Sequence, residues 1–342
     1  MKYNSIGEMF FAKREISPND IAFKFKEGGD WKTLTYEDVN SRSENIAAGL
    51  ASLGIKKGDK IAIISANRIE WALIDYAVVS LGAILVTIYP SLLKEQVQYI
   101  LNDSEAKVVF AENDIQTAKV NDVHDKIPNL KNFILIDVKN SDLKDPWKGL
   151  DALADLGQKH LEMNPDTVKN AIKEVTLDDW LTIIYTSGTT GEPKGAILTH
   201  GNLLSNIESG LEVLSITNSD VFLSFLPLSH VLERMAGHYL AYYCGTMIAY
   251  AESIEAVPVN MGEIKPTVMI SVPRLYEKMY SRVLENVELG SGAKQKIFHW
   301  AVGVGSQYIN KIMNKQPIGT HWLLIKDMHR PNIIWRTCKK HK

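Results

Sequence analysis

Between Tyr185 and Gly195 the chain reads YTSGTTGEPKG, which gathers three glycines, a proline, a lysine and five hydroxyl side chains into eleven residues. Glycines such as Gly188 and Gly191 let successive backbone N–H groups turn toward one point with no Cβ in the way, forming an anion-binding nest. Thr186, Ser187, Thr189 and Thr190 add hydroxyl donors, and Lys194 adds a cation that donates hydrogen bonds and accepts none. Such a set suits a polyphosphate, each charge-assisted contact contributing roughly 1.5–3 kcal/mol. Lys194 is the first candidate for chemistry, a positive charge set against phosphate oxygens.

The stretch is not the common phosphate loop GxxxxGK[ST], which needs a lysine directly after its second glycine and a helix behind it. Here Glu192 and Pro193 intervene, and Ala196–Thr199 reads as a second strand. The loop therefore joins two strands, without help from a helix dipole. A second constellation follows in LPLSHVLERMAG, Leu226–Gly237. A buried strand ending in Pro-Leu-Ser-His sets His230 at the mouth of a sheet, where open α/β sheets bind ligands. There His230 can orient a carboxylate by hydrogen bonding, and Ser229 can cap the following helix. Taken alone, the same residues describe an ordinary satisfied histidine at a helix start.

The elements that must position these groups alternate. IAFKF and WKTLTY flank the turn EGGD, and Thr35 is a helix N-cap with Gly54 closing the helix. KIAIIS, AILVTIY, KVVFAE and NFILID read as buried strands separated by the helices ANRIEWALIDYAVVS, ended by Gly82, and LLKEQVQYILND. Strands alternating with helices imply βαβ units and a mostly parallel sheet. Residues 139–178 read as short helices and loops. Met235–Ala251 reads as a buried helix, a glycine stop and a strand, and Pro266–Tyr280 as a strand, a turn and a helix with Pro273 near its first position. Residues 1–324 form one domain with room for two lobes.

Composition bounds the function. A 45% hydrophobic, 23% charged chain of 342 residues with net charge −2 is globular and gives no reason to expect nucleic acid as a partner. Two cysteines, Cys244 and Cys338, form neither a metal spacing nor a disulfide framework, which points to a reducing, cytoplasmic setting. No apolar run of transmembrane length occurs, leaving room only for peripheral membrane contact.

YTSGTTGEPKG resembles the phosphate-loop signature of the adenylate-forming superfamily, the AMP-forming acyl-CoA synthetases and their relatives. LPLSHVLERM, with its Glu233-Arg234 pair, and SVPRLYEK resemble the long-chain branch. The resemblance implies an α/β fold, the large N-terminal domain of that superfamily with mixed, mostly parallel sheets flanked by helices. It also implies a two-step reaction. A fatty acid carboxylate attacks the α-phosphorus of MgATP to give an acyl-adenylate and pyrophosphate, and the thiol of coenzyme A then displaces AMP. On this resemblance Thr186 to Gly191 with Lys194 hold the nucleotide, His230 lies by the carboxylate, Arg234 contributes to the substrate site, and Val272, Pro273 and Arg274 lie by the acyl or nucleotide pocket. Glu233 and Arg234 read equally as a solvated helix face, and 272–274 as a strand-to-helix corner.

The resemblance is partial. The superfamily completes its inventory downstream with a YGxTE segment whose glutamate holds Mg2+, a ribose-binding Asp, a hinge and a small C-terminal domain with a catalytic lysine, none of which occurs in this sequence. From about Ile325 the text KDMHRPNIIWRTCKKHK is basic and unlike the family's continuation. It reads as a terminus produced by a shifted or truncated frame, or else as a basic tail for acidic surfaces. The chain is therefore expected to leave a sheet edge exposed, to bind ATP weakly and to lack full turnover. Two other readings stay open: an adenylating enzyme for a shorter or aromatic carboxylate or a carrier-protein thiol, and a non-catalytic nucleotide-binding remnant.

Overall fold

Thr35 accepts a hydrogen bond from the Asp38 amide at 3.1 Å while the Asp38 carboxylate accepts from the Thr35 amide at 2.9 Å, so a helix begins where the sequence places its cap. The glycines expected to end elements do so in the left-handed region, with φ of 83° at Gly54, 66° at Gly82 and 75° at Gly245. The turn between the first two strands uses Gly28 and Gly29 at φ of 62° and 88°.

The computed structural model describes residues 1–141, 143–186 and 192–316. They divide into a first unit, Met1–Ile270, and a second beginning at Ser271. The strands of the first unit are β1 (Ile21–Glu27), β2 (Asp30–Thr35), β3 (Lys60–Ile64), β4 (Ile84–Ile88), β5 (Val108–Ala111), β6 (Asn132–Leu135), β7 (Trp147–Gly149), β8 (Trp180–Thr186), β9 (Lys194–Thr199), β10 (Val221–Ser224) and β11 (Met247–Tyr250). Its α-helices are α1 (Ile6–Ile16), α2 (Tyr36–Ser52), α3 (Ile69–Ser80), α4 (Lys94–Asp103), α5 (Asp114–Asn121), α6 (Leu150–Met163), α7 (Thr167–Glu174), α8 (His200–Val213), α9 (Ala241–Cys244) and α10 (Val257–Ile264). A π-helix, Glu233–Leu240, runs directly into α9.

These strands form two sheets, in the orders β7-β6-β5-β3-β4-β8-β9 and β10-β11-β1-β2. In the larger sheet every pairing is parallel except β8 with β9. Its buried strands alternate between two cores: Ile61, Ile63 and Leu85 face the cluster that includes α2 and α3, while Ala62, Ile64, Val86 and Ile88 face Val97, Ile100 and Leu101 of α4. Helix α3 is buried on all sides, because it lies between the large sheet and α1, α2 and the π-helix. The sheet ends at β9, where Ile197 remains 42% exposed.

The strand expected after Pro266 shrinks to one bridge between Val268 and Phe222. Thr267 explains it, since its hydroxyl accepts the Val221 amide at 2.9 Å and donates to Asp220 at 2.9 Å, occupying the donor a ladder would use. In the second unit, α11 (Pro273–Glu288) opens with Pro273 at its first turn, and α12 (Gly292–Met313) follows. Neither helix has a buried residue, and Tyr276, Met279, Tyr280 and Val283 of α11 are exposed at i, i+3, i+4 and i+7 spacing.

Candidate functional site

Strand β8 is buried through Leu181–Tyr185 and emerges at Thr186, and β9 returns antiparallel from Lys194. Thr186 and Lys194 are register partners, so the two ends of the intervening loop are one ladder rung apart. Both side chains are exposed. Ser187, Gly188, Thr189, Thr190 and Gly191 lie outside the described residues. Gly195 is required by packing: a Cβ there would stand 2.7 Å from Ile183 Cγ2 and 3.2 Å from the Tyr185 ring. Tyr185 reaches α4. Its hydroxyl donates to Asp103 Oδ2 at 2.6 Å, which ties β8 to α4, and burial together with the Asp103 carboxylate raises its pKa.

The segment after β10 is held at the carboxyl ends of the same sheet. Asn67, just beyond β3, donates from Nδ2 to the Leu226 carbonyl at 2.6 Å and accepts the Leu228 amide at 2.8 Å. Thr87, near the end of β4, donates to the Ser229 carbonyl at 3.1 Å. Thr87 is the register partner of Ile184 on β8, so Ser229 sits over the strand adjacent to the one that leads into the loop at Thr186. His230 follows Ser229 and is exposed. Its Nδ1 accepts the Leu232 amide at 3.2 Å, so the helix-capping contact belongs to His230. A neutral ring that accepts at Nδ1 carries its proton on Nε2, which makes Nε2 the donor available to an anion. Lys194 and His230 thus come from different sheets and meet the same end of one.

Arg234, expected at the substrate, lies in the interior at 1% exposure. Its Nε donates to Asp75 Oδ2 at 3.1 Å and its Nη2 to Asp75 Oδ1, while Nη1 donates to Thr182 Oγ1 at 2.7 Å. The Tyr239 hydroxyl also donates to Asp75 Oδ1, at 2.9 Å. His238, fully buried beside this pair, has its pKa pushed down to about 4 by burial, and its Nδ1 is 3.0 Å from the Tyr250 hydroxyl. Glu233 is not on a solvated face. Burial pushes its carboxyl up to about 8, only partly countered by the nearby Ser224 hydroxyl and Phe225 amide, and neither oxygen completes a hydrogen bond. Val272, Pro273 and Arg274 begin α11 in the second unit, with Pro273 and Arg274 exposed.

Asn67, Thr87, Asp75 and Thr182 went unnoticed in the sequence. Asp75 had a signal, a carboxylate inside the otherwise apolar WALIDYAVV; a charge in an all-round buried helix needs a partner. Among the described residues no helix is long and apolar enough to cross a membrane, and no three acidic, histidine or cysteine side chains converge to hold a metal ion.

The family described as AMP-binding enzyme matches residues 10–308. The long-chain-fatty-acid–CoA ligase FadD15 of Mycobacterium bovis is 32% identical over 299 residues, covering 87% of this chain and 48% of the relative. A long-chain-fatty-acid–CoA ligase of Xenopus laevis is 28% identical over 86% of this chain and 40% of its own. The chain therefore spans about half the length of the curated relatives it matches. Among solved structures, the N-terminal domain of FACL13 from Mycobacterium tuberculosis aligns with a TM-score of 0.65 at 25% identity, over 81% of this chain and 65% of that one. The anthranilate CoA ligase AuaEII aligns with a TM-score of 0.70 at 20% identity, over 80% of this chain and 51% of that one.

Proposed function

The chain belongs to the AMP-binding enzyme family, and from that membership we propose that it carries the nucleotide-binding half of an AMP-forming long-chain fatty acid–CoA ligase. The observation that supports this most is the convergence of Thr186, Lys194 and His230 at the carboxyl end of the large sheet, with Asn67 and Thr87 holding the His230 segment there. The 32% identity to a long-chain-fatty-acid–CoA ligase supports the choice of substrate.

In this reading the fatty acid carboxylate attacks the α-phosphorus of ATP, a new O–P bond forms, and the α–β anhydride bond breaks to release pyrophosphate. The hydroxyls of Ser187, Thr189 and Thr190 and the Lys194 ammonium hold the β- and γ-phosphates and offset the charge that gathers on the leaving group. Nε2–H of His230 donates to a carboxylate oxygen and turns the other toward phosphorus. The thiol of coenzyme A then attacks the acyl carbon and AMP departs. Mg2+ enters with the substrate as MgATP, bound by phosphate oxygens. The two widely spaced cysteines fit a cytoplasmic setting.

Calorimetric titration with non-hydrolysable acyl-adenylate mimics tests the reading. A palmitoyl mimic is expected to bind far more tightly than an acetyl one, since each buried methylene contributes about 0.8 kcal/mol. Equal affinity for the two would remove the long-chain assignment, and absence of binding by either would remove the nucleotide site.

A further inference from the structure

We infer that Arg234 is a positioning residue that fixes the spacing between the strand leading into the candidate phosphate loop and the π-helix that follows His230. The Arg234 amide donates to the His230 carbonyl at 3.2 Å, which places the guanidinium one turn below the histidine. Its Nη1 donates to Thr182 Oγ1, and Thr182 stands four residues before Thr186 on β8. The Thr182 hydroxyl in turn donates to the Leu85 carbonyl at 2.5 Å, on its register partner in β4. Two residues further along β4, Thr87 holds the Ser229 carbonyl. These contacts close a ring: Thr87 to Ser229, His230 to Arg234, Arg234 to Thr182, and Thr182 back to β4 through Leu85.

Asp75 of α3 completes the arrangement by accepting from Nε and Nη2 along one edge of the guanidinium fork. Trp71 and Tyr239 flank it, with ring centroids 5.6 and 5.5 Å from the guanidinium carbon. A planar fork clamped on three sides transmits position, whereas a flexible ammonium would not. A buried ion pair needed only for stability can be exchanged for apolar residues of similar size without loss. This pair does what an apolar replacement cannot, because it hydrogen-bonds the strand that carries the loop.

The inference rests on the proposed nucleotide site, and its test separates the two. Thr182→Val removes the contact to β8 and leaves the Asp75–Arg234 pair in place; Asp75→Leu/Arg234→Met removes all charge. Hydrogen exchange, read in peptides spanning 180–186 and 226–234, needs no ligand. In Thr182→Val both peptides are expected to exchange about tenfold faster or more, since the hydroxyl both accepts from Arg234 and donates to Leu85, while α4, α5 and β1 are unchanged. ATP affinity is expected to fall about tenfold in Thr182→Val and in the double variant, even where melting is restored to the parent value. Uniform exchange across the molecule, or acceleration of the 180–186 peptide alone, would overturn the inference. So would parental ATP affinity in a folded Thr182→Val variant. Failure of the parent chain to bind ATP would remove the nucleotide reading, while the exchange data would still decide the positioning role.

Discussion

The β8–β9 pair and the segment from Leu226 to Leu240 both carry a cation toward the same end of the sheet, and they hold it in opposite ways. Lys194 is exposed and is placed by a backbone ladder, its register with Thr186 set by main-chain hydrogen bonds. Arg234 is buried and is placed by side chains alone, through Asp75, Thr182 and the rings of Trp71 and Tyr239. A charge meant for a ligand must stay hydrated until the ligand arrives, so its support comes from groups that do not neutralise it. A charge meant for the fold is neutralised at once, and removing its partner is severe. Substitutions in the first region should therefore change binding and spare stability, and those in the second should change stability directly and binding only through the position they give His230.

The largest effect is expected from Arg234→Met alone, which strands the Asp75 carboxylate in the core. A loss of about 3–5 kcal/mol is expected, read as a lowered midpoint in urea unfolding; a loss below about 1 kcal/mol would mean that the pair is not the anchor described. Next is Lys194→Ala, which should leave urea stability within about 0.5 kcal/mol and weaken ATP binding by roughly 1.5–3 kcal/mol. If unfolding shifted instead of binding, the contrast between the two regions would collapse.

Glu233 sharpens the contrast through pH. Its carboxyl is raised from about 4.5 to about 8 in the fold, so the folded state retains a proton that the unfolded chain releases. The associated stability is complete below pH 4.5 and is lost as pH rises toward 8. Burial lowers His200 and His238 to about 4, so their contribution is complete above pH 6.5 and is lost as pH falls toward 4. Among the described residues, Glu233 is then the group whose shift spans pH 6.5 to 8, with a slope of about 1.36 kcal/mol per pH unit. Glu233→Gln should flatten it, and an unchanged slope would assign the pH dependence elsewhere. The smallest effect is expected from Thr87→Val, which removes the donor to the Ser229 carbonyl and should cost about 1 kcal/mol.

Local signals were legible where a residue's own neighbours decide its conformation. Thr35 with Asp38, Gly54, Gly82, Gly245 and Pro273 stand at the caps and stops their types require, and the buried strands from Lys60 to Leu135 follow from apolar runs. The division into two sheets was not legible, because β1 joins β11 through pairs such as Phe23 with Ile248, whose partner choice depends on the whole fold. The fate of Arg234 was hidden for the same reason, since Asp75 is 159 residues away in sequence. The strand pair that brackets the candidate loop was legible as apolar pattern, while the loop's own residues, 187–191, lie outside the described residues. The supports of His230 were not, because Asn67 and Thr87 act through single hydrogen bonds that no motif announces.

The central claim is that Lys194 and His230 serve one ligand. Titrating the palmitoyl-adenylate mimic into protein with 15N-labelled histidine, in parent and Lys194→Ala forms, tests it most directly. The account predicts that the His230 Nε2 signal, identified by its loss in His230→Gln, shifts on saturation in the parent and needs about tenfold or more additional ligand in Lys194→Ala. A His230 signal that ignores a bound mimic, or an affinity indifferent to Lys194, would contradict it.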